Sequence, residues 1–209
     1  MFVQQMQVGQ MAVFAYLVGD SITGDALVID PADNVHDLIA LAAKNGLRIN
    51  YIVNTHGHVD HIGGNADMKK LTGAKIIVHQ DDAVMLTSTP QAMLRMFGAK
   101  QSPPPDLLVQ DGQIISVGNV ELKVIHTPGH SPGGICLYTP GYVFTGDTLF
   151  VEAVGRTDLP GGSWQTLYNA IQDRLFTLPD ETRVMPGHNY GRTPTSTIGH
   201  EKKYNPSIR

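Results

Sequence analysis

Thr55-His56-Gly57-His58-Val59-Asp60-His61-Ile62-Gly63-Gly64 is the stretch from which the rest of the chain is read. Four side chains able to hold a metal, His56, His58, Asp60 and His61, fall within six consecutive positions. Imidazole and carboxylate are ligands of zinc, iron and manganese. A packed core has little use for so many polar rings in one turn. The segment follows Tyr51-Ile52-Val53, which reads as a short buried strand. Three later segments repeat the design of apolar strand, glycine-containing turn and ligand-type side chain. Val124-Ile125 leads to Thr127-Pro128-Gly129-His130, Val143-Phe144 to Thr145-Gly146-Asp147, and Val184-Met185 to Pro186-Gly187-His188. Glycine lets the backbone turn closely. Strands of one sheet that end this way bring their loops to a common edge, so the four segments are expected to converge on one site.

Seven candidate ligands suit two ions better than one, because a single tetrahedral zinc takes at most four protein ligands. The order suggests a division. His56, His58 and His130 face one ion, Asp60, His61 and His188 face the second, and Asp147, alone at its strand end, bridges them. Such a pair lowers the pKa of a bound water, supplies hydroxide at neutral pH and polarises a carbonyl or phosphoryl oxygen. This is hydrolytic chemistry without a serine or cysteine nucleophile. Two divalent ions are the expected cofactor, zinc first, with iron and manganese as alternatives.

His-x-His-x-Asp-His followed by a distant His, Asp and His resembles the metallo-β-lactamase superfamily over nearly the whole chain. The resemblance implies an α+β fold, an αββα sandwich of two mixed β-sheets flanked by helices, in a single domain spanning 1–209, with the metals at one edge. It carries the ligand set onto His56, His58, Asp60, His61, His130, Asp147 and His188. Thr127–Gly134 and Thr145–Phe150 are similar to the glyoxalase II group, which hydrolyses the thioester of S-lactoylglutathione. The chain ends soon after His188, as in a short form without the C-terminal helical domain of the larger enzymes. The expected activity is therefore hydrolysis of a thioester or similar small acyl ester. The metal-bound hydroxide attacks the carbonyl, with Asp60 orienting the water and Asp147 between the ions. Gly155-Arg156-Thr157-Asp158, and the tail from Ser196-Thr197-Ile198 through Glu201 to Asn205-Pro206, are similar to persulfide dioxygenases. That resemblance implies the alternative of one Fe(II) held by His56, His130 and Asp147, with open positions for O₂.

Composition narrows the partners. With 42% hydrophobic residues the 209-residue chain can build a sizeable core. Its net charge of −4, without any run of Lys or Arg, gives nucleic acid no electrostatic footing. No apolar run approaches the roughly 20 residues needed to span a bilayer, and the N-terminus does not read as a signal peptide. A cytoplasmic protein acting on a small thioester or thiol-derived molecule is the expectation. The single cysteine, Cys136, lies in an apolar run and reads as a buried thiol.

Periodicity predicts strands over 11–18 and 26–29, a helix over 35–45, and a helix from Ile62 to Leu71. Strands follow over Lys75–His79, Gln113–Val117, Val120–Ile125, Gly134–Tyr138 and Tyr142–Thr145. An amphipathic helix spans 164–178, with Trp164, Leu167, Ile171, Leu175 and Leu178 on one face, and a last strand covers Arg183–Met185. Residues 80–106 read as broken helices and a stiff proline loop. Their methionines Met85, Met93 and Met96 are read first as core filler, second as the wall of a pocket. Outside the ligand set, Arg156 is read as a fork for a substrate carboxylate or as a salt bridge to Asp158. Tyr190 is read as packing or as a pocket-lining substrate contact. Asp30-Pro31 is read as a plain turn, with support of the site as the lesser alternative. His36, His79, His126 and His200 are read as ordinary residues.

Overall fold

Val13-Phe14-Ala15-Tyr16-Leu17-Val18 is buried on both faces. Side chains alternate across a strand, so Val13, Ala15 and Leu17 enter one apolar cluster, and Phe14, Tyr16 and Val18 another. A strand buried on both sides must be covered by a layer on each, and the computed structural model, which describes residues 1–208, shows those layers. One sheet has the order β1 (Phe2–Val8), β2 (Val13–Gly19), β3 (Asp25–Ile29), β4 (Arg48–Val53), β5 (Lys75–His79) and β6 (Leu107–Val109). Its first two pairings are antiparallel and the rest parallel. In the second sheet lie β7 (Ile114–Val117), β8 (Val120–His126), β9 (Ile135–Thr139), β10 (Tyr142–Gly146), β13 (Arg183–Pro186) and β14 (Ser196–Thr197). A small hairpin joins β11 (Leu149–Phe150) to β12 (Ala153–Val154).

The sheets meet through Phe14, Tyr16, Leu27, Val53, Leu122, Val124, Leu137 and Phe144. The outer face of the first sheet is covered by α1 (Val35–Lys44) and α3 (Asn65–Thr72), through Leu38, Ala42 and Met68. The outer face of the second is covered by α6 (Trp164–Ala170), and Ile198 of α7 (Ile198–Tyr204) joins the same cluster. This is the expected αββα sandwich. Three short helices, α2 (Val59–Ile62), α4 (Ala83–Thr87) and α5 (Gln91–Phe97), lie between α1 and β6 in sequence. None of the described helices is long and apolar enough to cross a membrane.

Four features differ from the sequence expectation. The helix predicted from Ile62 to Leu71 is two helices, α2 and α3, broken at Gly63-Gly64. A Cβ at Gly64 would stand 2.0 Å from the Pro31 carbonyl oxygen, so the close approach of the Asp30-Pro31 turn sets the break. The helix over 164–178 is α only to Ala170. It then widens into a π-turn over Ile171–Leu175, and Trp164 is 44% exposed rather than part of the buried face. Strand β1, with glutamines at three of its seven positions (Gln4, Gln5 and Gln7), is an edge strand that alternation hides. Finally, α7 follows the last strand expected from the sequence, in a tail for which periodicity predicts no element.

Candidate metal centre

β3, β4, β8, β10 and β13 all end at the same rim of the sandwich. β3 and β4 run parallel, as do β10 and β13, and β8 runs in the direction of β10 through two antiparallel steps. The loops after these strands deliver Asp30, His56 to His61, His130, Asp147 and His188. The ligand strands do not share one sheet: β4 belongs to the first, and β8, β10 and β13 to the second. Cross-sheet backbone bonds pin the halves together at this rim, Ile135 N–H to the Thr55 carbonyl at 2.9 Å and Phe14 N–H to the Gly187 carbonyl at 2.8 Å.

All seven sequence-predicted residues come together there. His56, His58 and His130 form one group whose donor atoms lie within 4.8 Å of each other, and Asp60, His61 and His188 form a second. His58 Nδ1 is 2.9 Å from His130 Nε2, and His61 Nε2 is 3.0 Å from His188 Nε2. Asp147 stands between the groups. Its Oδ2 is 3.5 Å from His130 Nε2 and 3.3 Å from His188 Nε2, and its Oδ1 is 3.3 Å from His61 Nε2. Asp30, His56 and His61 form a further group across this division, their donor atoms also within 4.8 Å of one another.

The outer ring nitrogens are fixed by partners behind the site. His130 Nδ1 meets the Arg156 carbonyl at 2.7 Å, His188 Nδ1 the Met11 carbonyl at 2.8 Å, and His61 Nδ1 the Asp30 carboxylate at 2.9 Å. His56 Nδ1 lies 3.1 Å from the Thr55 hydroxyl, which itself donates to Asp30 Oδ2 at 2.6 Å. A proton held at Nδ1 leaves Nε2 as a lone pair aimed inward, the arrangement that orients metal-binding imidazoles. Two inward atoms, His56 Nε2 and Asp147 Oδ1, are buried without any hydrogen-bond partner. An unsatisfied buried polar group costs about 1–3 kcal/mol, and a cation shared by these groups removes that cost. The residues therefore fit a metal centre.

The electrostatics agree. Burial, then His61 and His130, pushes His56 well below the ordinary imidazole range, and burial beside His130 brings His58 down to about 4. Burial alone would also push His61 down, but Asp147, Asp30 and Asp60 outweigh it and hold that ring well above its usual value. Burial opposes ionisation of Asp147, yet His61 and His188 keep it well below the carboxylate range. The centre thus holds a carboxylate field that demands positive charge.

Several outcomes correct or extend the sequence reading. Asp30 is not a plain turn: it supports His61 directly and His56 through Thr55. Asp82 went unread. Its carboxylate accepts from Gly57 N–H (2.9 Å), the Ser131 hydroxyl (2.7 Å) and Gly133 N–H (2.6 Å), tying the His56 loop to the His130 loop. Its signal was available, since it follows β5 at the same rim as the other strand ends. Arg156 borders the cavity above the centre, but its Nε and Nη2 both donate to Asp158 at 2.7 Å, the salt-bridge alternative. Tyr190 is 55% exposed, stacks on His188 (4.5 Å between centroids, 10°) and lines the same cavity. Met93 and Met96 are 41% and 71% exposed and also line it, so they form a wall and not core filler. His126 is turned away from His130 and stacks on His79 at 4.1 Å. His200 pairs with Glu152 at 3.1 Å. Cys136 is buried as expected, its thiol pushed by burial up to about 11.

Comparison with known proteins places this geometry in a family. The family model of the metallo-beta-lactamase superfamily matches residues 8–188. The mitochondrial persulfide dioxygenase ETHE1 of Homo sapiens is 34% identical over 198 residues, covering 93% of this chain and 71% of that protein. Among solved structures, the BLEG-1 B3 metallo-beta-lactamase superposes with a TM-score of 0.89 at 30% identity, covering 99% of both chains. TTHA1623 in a di-iron-bound form superposes with a TM-score of 0.86 at 35% identity, covering 98% of this chain and 99% of that one.

Proposed function

Because the chain belongs to the metallo-beta-lactamase superfamily, a family of metal-dependent enzymes, we propose that it is a dinuclear metallohydrolase of a thioester or similar small acyl ester. The observation that carries this reading is the second triad. Asp60, His61 and His188 are as closely gathered as His56, His58 and His130, and Asp147 faces both. Divalent ions held in the two triads would lower the pKa of a bound water and polarise the scissile carbonyl. Zinc, iron and manganese all suit this donor set. Asp60 borders the cavity with its Oδ2 3.5 Å from His188 Nε2. From there it orients the attacking water and holds its proton. Asp147 keeps the triads at fixed separation, while Phe97, Met96 and Phe150 screen the reacting carbonyl from bulk water. Tyr190, stacked on His188 and in contact with Phe150, lines the same cavity.

The test is thioester hydrolysis by metal-replete protein carrying Asp60→Asn or His188→Ala. A positioned proton acceptor contributes typically about 10²–10⁴-fold, so Asp60→Asn is expected to lose at least about 100-fold. Full activity in either variant overturns the dinuclear reading.

One observation favours a second reading. The 34% identity to a persulfide dioxygenase supports a mononuclear iron enzyme using His56, His130 and Asp147. It predicts O₂ uptake by iron-loaded protein with a persulfide, abolished by His130→Ala and tolerant of His188→Ala.

A further inference from the structure

The cavity over the metal centre is about 510 Å³. Its floor is His58, Asp60, His130, Asp147 and His188; its walls are Met93, Met96, Phe97, Phe150, Val154 and Leu159. A second groove of about 400 Å³ shares His58, Val59, Met93 and Leu159 with it and continues past Met85, Thr89 and Pro160. The two spaces adjoin along His58, Val59, Met93 and Leu159, as a forked lining about the Met93 side of α5. Substrates cleaved at a central carbonyl have two arms, and a fork that meets at the candidate metal centre accommodates one in each branch.

The charges along the fork are one-sided. Among the described residues, Arg156 is the one basic side chain lining either branch apart from the histidines. Its Nε and Nη2 already donate to Asp158 in a two-pronged pair. The remaining charges are Asp60 and Asp147. A carboxylate on an arm extending away from the metal centre would lie among apolar walls and would have to compete with Asp158 for Arg156, and burying a poorly paired charge is unfavourable.

We propose that the forked cavity selects an uncharged substrate with aliphatic groups on both sides of the scissile bond, the second arm lying in the groove between Met85, Met93 and Pro160. This rests on the hydrolase reading for its chemistry, but not for its binding.

The experiment separates the two. Binding of two unreactive thioethers to metal-loaded protein is measured by calorimetry: neutral S-hexyl-N-acetylcysteamine, and S-hexylglutathione, which carries two carboxylates. The neutral ligand is expected to bind at least 10-fold more tightly. Met93→Lys, at an exposed position on the shared wall, is expected to erase most of that preference with the thermal midpoint unchanged. Equal or tighter binding of S-hexylglutathione by the unsubstituted protein, or an unchanged preference in Met93→Lys, overturns the proposal. Hydrolysis of S-hexanoyl-N-acetylcysteamine is assayed separately. Its absence alongside the predicted binding preference counts against the hydrolase reading and leaves the selectivity standing.

Discussion

Asp30 has a φ of +48° at the end of β3, a left-handed conformation that Asn tolerates as well as Asp. Its two oxygens accept from the Thr55 amide and hydroxyl and from the His61 ring. Asp30→Asn therefore keeps the backbone while weakening the partners that orient His56 and His61. Loss of such a support typically costs 10–100-fold in metal affinity. Competition against a chelator is expected to show a fall of about that size with the circular dichroism spectrum retained. An unchanged affinity would mean that the two rings need no support from behind. At this scale the sequence marked the candidate ligands, and of their supports it raised Asp30 alone, as the lesser alternative to a plain turn. A His-x-His-x-Asp-His run announces itself by residue type, whereas Asp30, Asp82 and Thr55 are common turn residues whose role depends on which distant loop meets them. Two supports, the carbonyls of Met11 and Arg156, are backbone atoms and have no residue signature.

Among elements, the loop from Gly155 to Asp158 shows what a recurrent motif can be for. Arg156 offers its carbonyl to His130, and Gly155 lets that carbonyl come close: a Cβ there would stand 1.8 Å from the Asp147 carbonyl oxygen and 3.2 Å from His130 Nδ1. Gly155→Ala must shift either Asp147 or His130. Overpacking of this kind costs about 1–3 kcal/mol, read as a lower urea midpoint, and hydrolysis is expected to fall more than stability does. A variant with native activity would show that the loop adapts without moving the centre. The motif thus serves the metal centre of either candidate chemistry, which is why it did not decide between them in the sequence. Elements with strong periodicity, such as α1 and β8, were legible. The edge strand β1 and the tail helix α7 were not, because glutamine-rich and glycine-rich segments take their structure from neighbours: α7 is held by Glu201 accepting from Glu152 N–H and by Asn205 donating to the Ala153 carbonyl. The exposed methionines of α5 misled for the converse reason, since apolar residues lining a cavity look like core in a linear pattern.

For the whole molecule, the two sheets must keep register if seven side chains from both are to meet. Far from the centre, Asp20 at the end of the first sheet's β2 accepts from the backbone amides of Asn119 and Ile22, and from the Asn119 side chain, clamping the turn between β7 and β8. The two amides, Asn119 first, lower its pKa to about 2, below the ordinary carboxylate value of about 3.9. Its stabilisation is therefore complete above about pH 4 and is lost as the pH falls through 2. Asp20→Asn is expected to be less stable at pH 7, and to show a shallower loss of stability between pH 4 and 2, in urea titrations followed across that window. Identical pH profiles would exclude Asp20 from the clamp. At the rim, the same register brings Asp147 of the second sheet between the two triads. On the hydrolase reading, both triads act in catalysis. Titrating metal-stripped protein with zinc while recording thiol release from a neutral acyl thioester tests it most directly. Activity that rises to its maximum only at two ions per chain is the predicted result; full activity at one ion per chain, unchanged by the second, would contradict it.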